Sequence, residues 1–265
     1  MKITVIMSEY NTPLNILTMA IESILRQSYS DFEFIIVDDG GKNNMVKIIE
    51  DFNDPRIKLL RNSSNRGFVY SLNKALKRAD GEYIVRMDSD DITDPDRIEK
   101  LYDFISSHKQ YSVVGTKAEI FSDKKVHGII GIQGEKTMRS IIHGDIVVHA
   151  STIMKKSDIL AVGGYKDYKR AEDFVLWCDL LLAGYRLYML DEILYRYRVN
   201  EGDYEKRKLK YRLDELQARL QYYPKMGASP IEYLFILRSI VAGLMPVTIL
   251  RLYQEAKMRR LQNKK

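Results

Sequence analysis

Two short apolar runs in this chain end on clustered carboxylates, and that arrangement narrows its fold more than any other feature. Phe32-Glu33-Phe34-Ile35-Ile36-Val37 stops at Asp38-Asp39-Gly40-Gly41, and Glu82-Tyr83-Ile84-Val85-Arg86-Met87 stops at Asp88-Ser89-Asp90-Asp91. Runs of this kind read as strands covered on both faces, which belong to a mostly parallel sheet flanked by helices. Amphipathic stretches alternate with them. Ile3–Met7 reads as a strand, and Leu14, Leu17, Ile21 and Leu25 then recur every three or four residues as one buried helix face. Helices over 43–52 and 69–78 and a strand over 57–60 continue the β-α alternation. Asp94-Pro95-Asp96 starts a further helix, with Pro in the first turn and acids near the positive end of the dipole. In open α/β sheets, ligands bind beyond the carboxyl ends of the strands, where the topology reverses. One acidic cluster there would suit an exposed turn; two mark a site.

Beyond residue 110 the pattern loosens: 112–116 and 146–154 read as strands, and Phe174–Leu182 as a helix after a turn at Gly163-Gly164. From residue 205 onward the chain is basic and rich in Leu and Tyr, with 14 Lys/Arg against 5 Asp/Glu. The preceding residues hold 28 against 31, so the overall charge of +6 comes from the C-terminal end. The expected division is a catalytic domain over 1–204 and a helical, basic, membrane-associating region over 205–265. Ser239–Leu250 is an uncharged stretch of 12 residues, shorter than the roughly 20 that a spanning helix needs. It fits a helix lying in a membrane interface; the competing reading packs it on the domain. No nucleic-acid motif accompanies the basic excess. The opening residues are too short for a secretory leader, so the chain is expected in the cytoplasm, peripheral on the inner face of the cell membrane. A single cysteine, Cys178, excludes an internal disulfide framework.

Closely spaced carboxylates such as Asp88, Asp90 and Asp91 are tolerated when a cation sits among them or when they stay hydrated. An all-oxygen set suits Mg²⁺ or Mn²⁺. No zinc pattern is present: the histidines stand at 108, 127, 143 and 149, and the only thiol is Cys178. There is no GxxxxGK[ST] loop, and Gly128, Gly131 and Gly134 do not have the spacing of a dinucleotide fingerprint.

Read in order, the following residues carry a resemblance. They are Ile3-Thr4-Val5-Ile6-Met7-Ser8-Glu9-Tyr10-Asn11, Ser23-Ile24-Leu25-Arg26-Gln27-Ser28-Tyr29, Val37-Asp38-Asp39-Gly40, Asn65-Arg66-Gly67 and Asp88-Ser89-Asp90-Asp91, then Gly163-Gly164-Tyr165 and Glu172-Asp173-Phe174-Val175-Leu176-Trp177. Over about 1–200 the chain resembles glycosyltransferase family 2, and within it the bacterial enzymes that build capsular or O-antigen polysaccharide. The resemblance implies a GT-A fold and inverting transfer of a hexose or N-acetylhexosamine from a nucleotide-sugar, UDP-linked by preference. It further implies a saccharide acceptor, expected on a polyprenyl diphosphate. By position, Ser8, Glu9, Tyr10 and Asp39 would hold the base and ribose, and Arg66 and His149 would lie near the phosphates. Asp88 and Ser89 would meet the ribose or sugar, and Asp90 with Asp91 would bind the metal. Glu172 would bind the nucleotide-sugar beside Asp173, the general base.

Chemistry agrees with the last assignment, because inversion needs a carboxylate to take the acceptor hydroxyl's proton opposite the leaving group. A helix N-terminus lowers a carboxyl pKa, so a base at Asp173 requires burial or neighbouring acids to offset it; otherwise the residue is an N-cap. Two departures bear on the base pocket. Ser8-Glu9-Tyr10-Asn11 stands for the usual Pro-Val-Tyr-Asn, and Asp39-Gly40-Gly41-Lys42-Asn43 for the usual Asp-Gly-Ser-x-Asp. A dTDP-rhamnose transferase of the same family and a non-catalytic nucleotide-sugar binder are the alternatives. A sugar-nucleotide nucleotidyltransferase is disfavoured, since it needs glycines and a lysine where Ser8-Glu9-Tyr10-Asn11-Thr12-Pro13 stands.

Overall fold

The computed structural model describes residues 2–200, 209, 212–246 and 249. The first half is the expected β-α winding: β1 (Ile3–Glu9), α1 (Leu14–Leu25), β2 (Phe32–Asp38), α2 (Met45–Phe52), β3 (Ile57–Arg61), α3 (Phe68–Arg78) and β4 (Tyr83–Asp88). The strands lie in the order β3-β2-β1-β4, all parallel. Side chains alternate across the pleat, so Ile3, Val5 and Met7 of β1 face one core while Ile6 faces the other. The first core is closed by Leu17, Ile21 and Ile24 of α1 and by Ile98, Leu101 and Ile105 of α4 (Arg97–Ser107). The second is closed by Leu72 and Leu76 of α3 and by Val175, Leu176 and Trp177 of a later helix.

The rest of the sheet is mixed. After β5 (Ile92–Thr93) and α4 come β6 (Tyr111–Ser122), β7 (Lys125–Ile130), β8 (Gly134–Lys136) and α5 (Met138–Ile142). Then follow β9 (Ile153–Lys155), α6 (Lys156–Ala161), α7 (Glu172–Leu182) and β10 (Arg186–Arg198). β9 runs antiparallel between β4 and β6, and β10 pairs parallel with β6 along nearly its whole length. The strand expected over 146–154 is only Ile153–Lys155; His149–Ser151 forms a 3₁₀ turn instead. The cause is side-chain competition: Ser151 Oγ bonds the carbonyls of Thr116 and Val148, and Thr152 Oγ1 bonds that of His149.

Gly163 and Gly164 both have positive φ, at 90° and 71°. At Gly164 a Cβ would stand 2.7 Å from Asn73 Oδ1. Asn73 uses that closeness: its Nδ2 donates to the Tyr165 carbonyl at 2.7 Å, and its Oδ1 accepts from Tyr165 N–H at 3.0 Å. The turn thereby fixes α3 to the segment leading into α7.

The expected boundary at 204/205 is not a packing boundary among the described residues. α8 (Leu213–Lys225) buries Ala218, Tyr222 and Tyr223 in the core that holds Trp177 and Ile142. Tyr222 OH donates to Asp179 Oδ1 at 2.9 Å and Tyr223 OH to the Ile142 carbonyl at 3.1 Å, which gives these large aromatics partners for their hydroxyls inside. A 3₁₀ turn (Pro230–Tyr233) leads to α9 (Leu234–Leu244). Ile236 and Ser239 of α9 turn inward, while Leu234, Leu237, Val241 and Leu244 form an exposed apolar stripe at helical spacing. The interfacial-helix expectation over Ser239–Leu250 thus falls partly on a helix that is packed on one face and apolar on the other. The basic tail over 251–265 lies outside the described residues.

Candidate active site

In the 3-2-1-4 order the winding reverses between β1 and β4, and there Ser8 pairs in register with Asp88. On the other side of β1, Ser8 pairs with Val37 and Glu9 with Asp38. Three strand ends carrying predicted residues therefore lie side by side at the crevice where open sheets bind ligands. Thr12 Oγ1 and Ser89 Oγ, 2.7 Å apart, tie the β1–α1 loop to the turn after β4.

Several predicted nucleotide contacts turn inward. Glu9 is fully buried; its Oε1 accepts from Thr12 N–H at 2.9 Å and Asn43 Nδ2 at 2.8 Å, and Oε2 has no hydrogen-bond partner. Burial pushes its carboxyl up. The two departures from the family pattern are thus one contact: an aspartate at 43 would face the Glu9 carboxylate, whereas Asn43 donates to it. Asp39, 2% exposed, accepts from Asn62 Nδ2 at 2.7 Å, Arg66 N–H at 2.8 Å and Gly67 N–H at 2.9 Å. It shapes the loop that opens α3. Ser8 is buried, whereas Tyr10 is exposed, and so is Arg66, whose guanidinium lies 4.3 Å from the Tyr70 ring centre.

In the turn after β4, Asp88, Ser89 and Asp90 are half-buried. Asp88 Oδ1 accepts from Arg86 at 2.5 Å. Arg86 is fully buried, bonds the Met87 carbonyl and lies 4.8 Å from the Phe68 ring centre. Asp91 points into the interior, 1% exposed, and its Oδ1 accepts from Arg198 N–H at 2.7 Å. Burial, then the nearby Asp88 and Asp90 charges, hold its carboxyl well above the usual range. Such crowding is what a hard cation relieves, so the acids fit Mg²⁺ or Mn²⁺. Among the described residues no three acids, histidines or thiols converge as a complete cage. The fit is therefore to an ion that draws most of its ligands from substrate phosphates and water, as Mg²⁺ commonly does.

The second acidic group stands at the N-terminus of α7. Asp173 Oδ1 accepts from Phe174 N–H at 2.6 Å, but the N-cap of α7 is Ala171, which makes no side-chain cap, so Asp173 is a first-turn residue and not the cap. Burial nevertheless outweighs the helix terminus and raises its carboxyl. Glu172 beside it is raised to about 7, by burial first and by Asp173 second. His149 Nε2 lies 2.8 Å from Tyr165 OH, and its ring meets the Trp177 ring edge-on at 5.8 Å. Burial, then the Arg86 charge, depress its pKa well below the ordinary value, so it is neutral at pH 7.

A cleft of about 850 Å³ joins these groups, lined by Arg86, Asp88, His149, Glu172 and Asp173 on one side and by α8 and α9 on the other. Arg86 and the helical wall were missed by sequence reasoning. The available signal was an arginine inside an otherwise apolar strand, Tyr83-Ile84-Val85-Arg86-Met87, which a sheet covered on both faces tolerates only with partners. A base in this cleft must be ionised to act. Turnover is therefore expected to fall as pH drops through about 7, the range to which Glu172 is raised. A pH–rate profile checks this, and a flat profile from pH 5 to 8 would contradict it.

Comparison with known proteins gives a consistent result. The family model described as glycosyl transferase family 2 matches residues 4–150. EpsE of Bacillus subtilis (strain 168), a protein named as a glycosyltransferase, is 30% identical over 97% of this chain and 94% of its own length. The amylovoran biosynthesis glycosyltransferase AmsE of Erwinia amylovora is 26% identical over 95% of this chain and 97% of its own. Among solved structures, S. aureus TarS 1–349 in complex with UDP-GlcNAc superposes with a TM-score of 0.70 at 21% identity. It covers 92% of this chain and 72% of that one, a likeness of fold.

Proposed function

The chain belongs to glycosyltransferase family 2 and has the GT-A fold, and on that premise we propose that it is an inverting enzyme. It moves a hexose or N-acetylhexosamine from a UDP-sugar to a saccharide acceptor in the building of a cell-surface polysaccharide. The observation that carries this reading is the half-buried Glu172–Asp173 pair, its carboxyls raised, facing the same cleft as Asp88. The name of AmsE supports the pathway, and the UDP-GlcNAc bound to TarS supports the donor class.

In this mechanism the nucleotide lies across the β1–β4 crevice, against Tyr10 and the backbone of the loops that Glu9 and Asp39 brace, with Arg66 at its edge. Asp88 and Ser89 meet the ribose or sugar, and neutral His149 donates or accepts a hydrogen bond near the diphosphate without adding charge. Asp173 takes the proton from the acceptor hydroxyl as that oxygen attacks the anomeric carbon, and the nucleoside diphosphate leaves from the opposite face. Glu172, raised to about 7 by burial and by the Asp173 charge, stands beside the base in the same cleft. Asp90, on the turn that Asp91 anchors, would hold Mn²⁺ or Mg²⁺, which when bound would supply charge compensation for the departing diphosphate.

Attachment to the inner face of the cell membrane completes the proposal. No helix among the described residues is long and apolar enough to cross a membrane. The exposed stripe of Leu234, Leu237, Val241 and Leu244 offers an apolar face, and the following sequence is rich in Lys and Arg. Each such cation near an anionic surface contributes about 1 kcal/mol.

The test is binding and hydrolysis of a panel of nucleotide-sugars, with Mg²⁺, Mn²⁺ or EDTA, on the wild type and Asp90→Ala. One donor bound and turned over with metal, and lost both in EDTA and in Asp90→Ala, is the expected result. Failure to bind any donor under any metal condition would remove the proposal.

A further inference from the structure

Phe68 opens α3, and its side chain lines the cleft together with Arg86, Asp88, Glu172 and Asp173. A single exposed aromatic is ordinary on a protein surface, but this one is built into the site from behind. One face of its ring lies over the Arg86 guanidinium, 4.8 Å from the ring centre, and Arg86 is fully buried. The residue nevertheless stays 36% exposed. With one face closed by the arginine, the open face belongs to the cleft.

We propose that Phe68 is the platform on which the transferred sugar lies, a pyranose with one face clear of axial hydroxyls. The inference rests on the reading of Asp88 and Asp173 as parts of the transfer site, and it adds the residue that holds the sugar ring.

Arg86 ties this ring to both ends of the reaction. Its Nη2 donates to Asp88 Oδ1 at 2.5 Å, and its charge acts on Glu172, beside the base. The anomeric carbon must lie between those carboxyl groups, because the diphosphate leaves on the side of the Asp88 turn and the acceptor hydroxyl arrives from the side of Asp173. Phe68 stands over the guanidinium that joins them. That is the level of the sugar ring, not of the base, which belongs to Tyr10 and the loops braced by Glu9 and Asp39.

A chair pyranose matches such a surface. Its axial C–H bonds make a face apolar where no axial hydroxyl interrupts them, and its equatorial hydroxyls point outward around the rim. The apolar face packs on the electron-rich face of an aromatic ring, while the rim is left for the polar groups around it, Asp88 and His149 among them. The platform is also set before the sugar arrives. Gly67, with a φ of 90°, donates its N–H to Asp39 Oδ2 at 2.9 Å, and Arg66 N–H donates to Oδ1 at 2.8 Å. Asp39 therefore fixes where Phe68 begins its helix, and Arg86 fixes how its ring lies, so binding has little left to order.

The experiment titrates the full chain, with Mn²⁺, against UDP, UDP-glucose, UDP-galactose and the N-acetylamino forms of both sugars, read by calorimetry. Phe68→Ala should weaken the UDP-sugar that the wild type binds best by about tenfold, the scale of the apolar area lost, and leave UDP within about twofold. Phe68→Tyr, which keeps the ring, should stay within about threefold of the wild type for both. Phe68→Leu still covers Arg86 with an apolar group but has no flat face, and it should lose the sugar as Phe68→Ala does.

Equal weakening of UDP and UDP-sugar in Phe68→Ala would overturn the proposal, since the ring would then serve the nucleotide or the fold. Unchanged UDP-sugar affinity in Phe68→Ala would overturn it as well. So would full affinity in Phe68→Leu, which would leave the ring only the task of covering Arg86. A wild type that binds none of the UDP-sugars would remove the donor reading and this inference with it, whereas the three preceding results leave the donor reading standing, so the two failures are distinguishable.

Discussion

Asp173→Asn should lower the rate of sugar transfer by about 10² to 10⁴-fold while leaving donor binding within about twofold. The substitution keeps the shape and the acceptor oxygen that binds Phe174 N–H at 2.6 Å, so that local contact in the first turn of α7 is retained. What it removes is the ability to take a proton. Burial holds this carboxyl above its ordinary range even at a helix N-terminus, and a raised pKa makes the ionised group a stronger base. Single-turnover rates with a fixed donor, beside the dissociation constant for the nucleotide, separate the two effects. Loss of donor binding in step with rate would assign Asp173 to the donor instead. Glu172→Gln provides the internal contrast: it removes the group raised to about 7, so the fall in turnover through that range should disappear while transfer persists.

The second large effect is expected from Arg86→Met, which should cost about 3–5 kcal/mol of stability. Arg86 is fully buried beneath the cleft, bonded to Asp88 Oδ1 and the Met87 carbonyl and stacked against Phe68. Its charge also acts on His149 and Glu172. Methionine fills much of the volume but leaves Asp88 and Glu172 without the cation beside them. For a chain of this size the loss corresponds to a fall in Tm of about 10 °C, readable by calorimetry at pH 8, above the range to which Glu172 is raised. The deficit should narrow at pH 5, where Glu172, raised to about 7, has taken up its proton. A variant as stable as the wild type at both pH values would show that Arg86 is not the counter-ion of this site.

Much of the first half of the fold was legible in the sequence. Strands expected at Ile3–Met7 and Phe32–Val37 extend only to Glu9 and Asp38, since an apolar run covered on both faces has few other ways to fold. The later strands were less legible. β7 and β8 are short and carry polar residues, and most of the 13-residue β10, paired with β6 on one side and with β8 and β5 on the other, was passed over because charged residues interrupt its apolar ones. Sequence also read 205–265 as a separate region from its basic charge. Charge does not report which side of a helix is buried, and Tyr222 and Tyr223, two of the largest buried side chains, belong to α8.

The sequence by itself determined that two strands deliver carboxylates to one edge of an α/β sheet and that Glu172-Asp173 opens a helix. Those are local facts, written in runs and spacings of a few residues. Tertiary structure decided what each acid does once there. Register set Ser8 beside Asp88; burial turned Glu9, Asp39 and Asp91 into braces and raised Asp173 toward a base. The 2.8 Å contact between Glu9 and Asn43 made a single compensated exchange of two departures that look independent in sequence. Desolvation and pairing depend on neighbours distant in the chain, such as Arg198 for Asp91 and Arg219 for Asp173. No window of sequence holds both partners, and so the roles of the acids emerge only when the chain is folded.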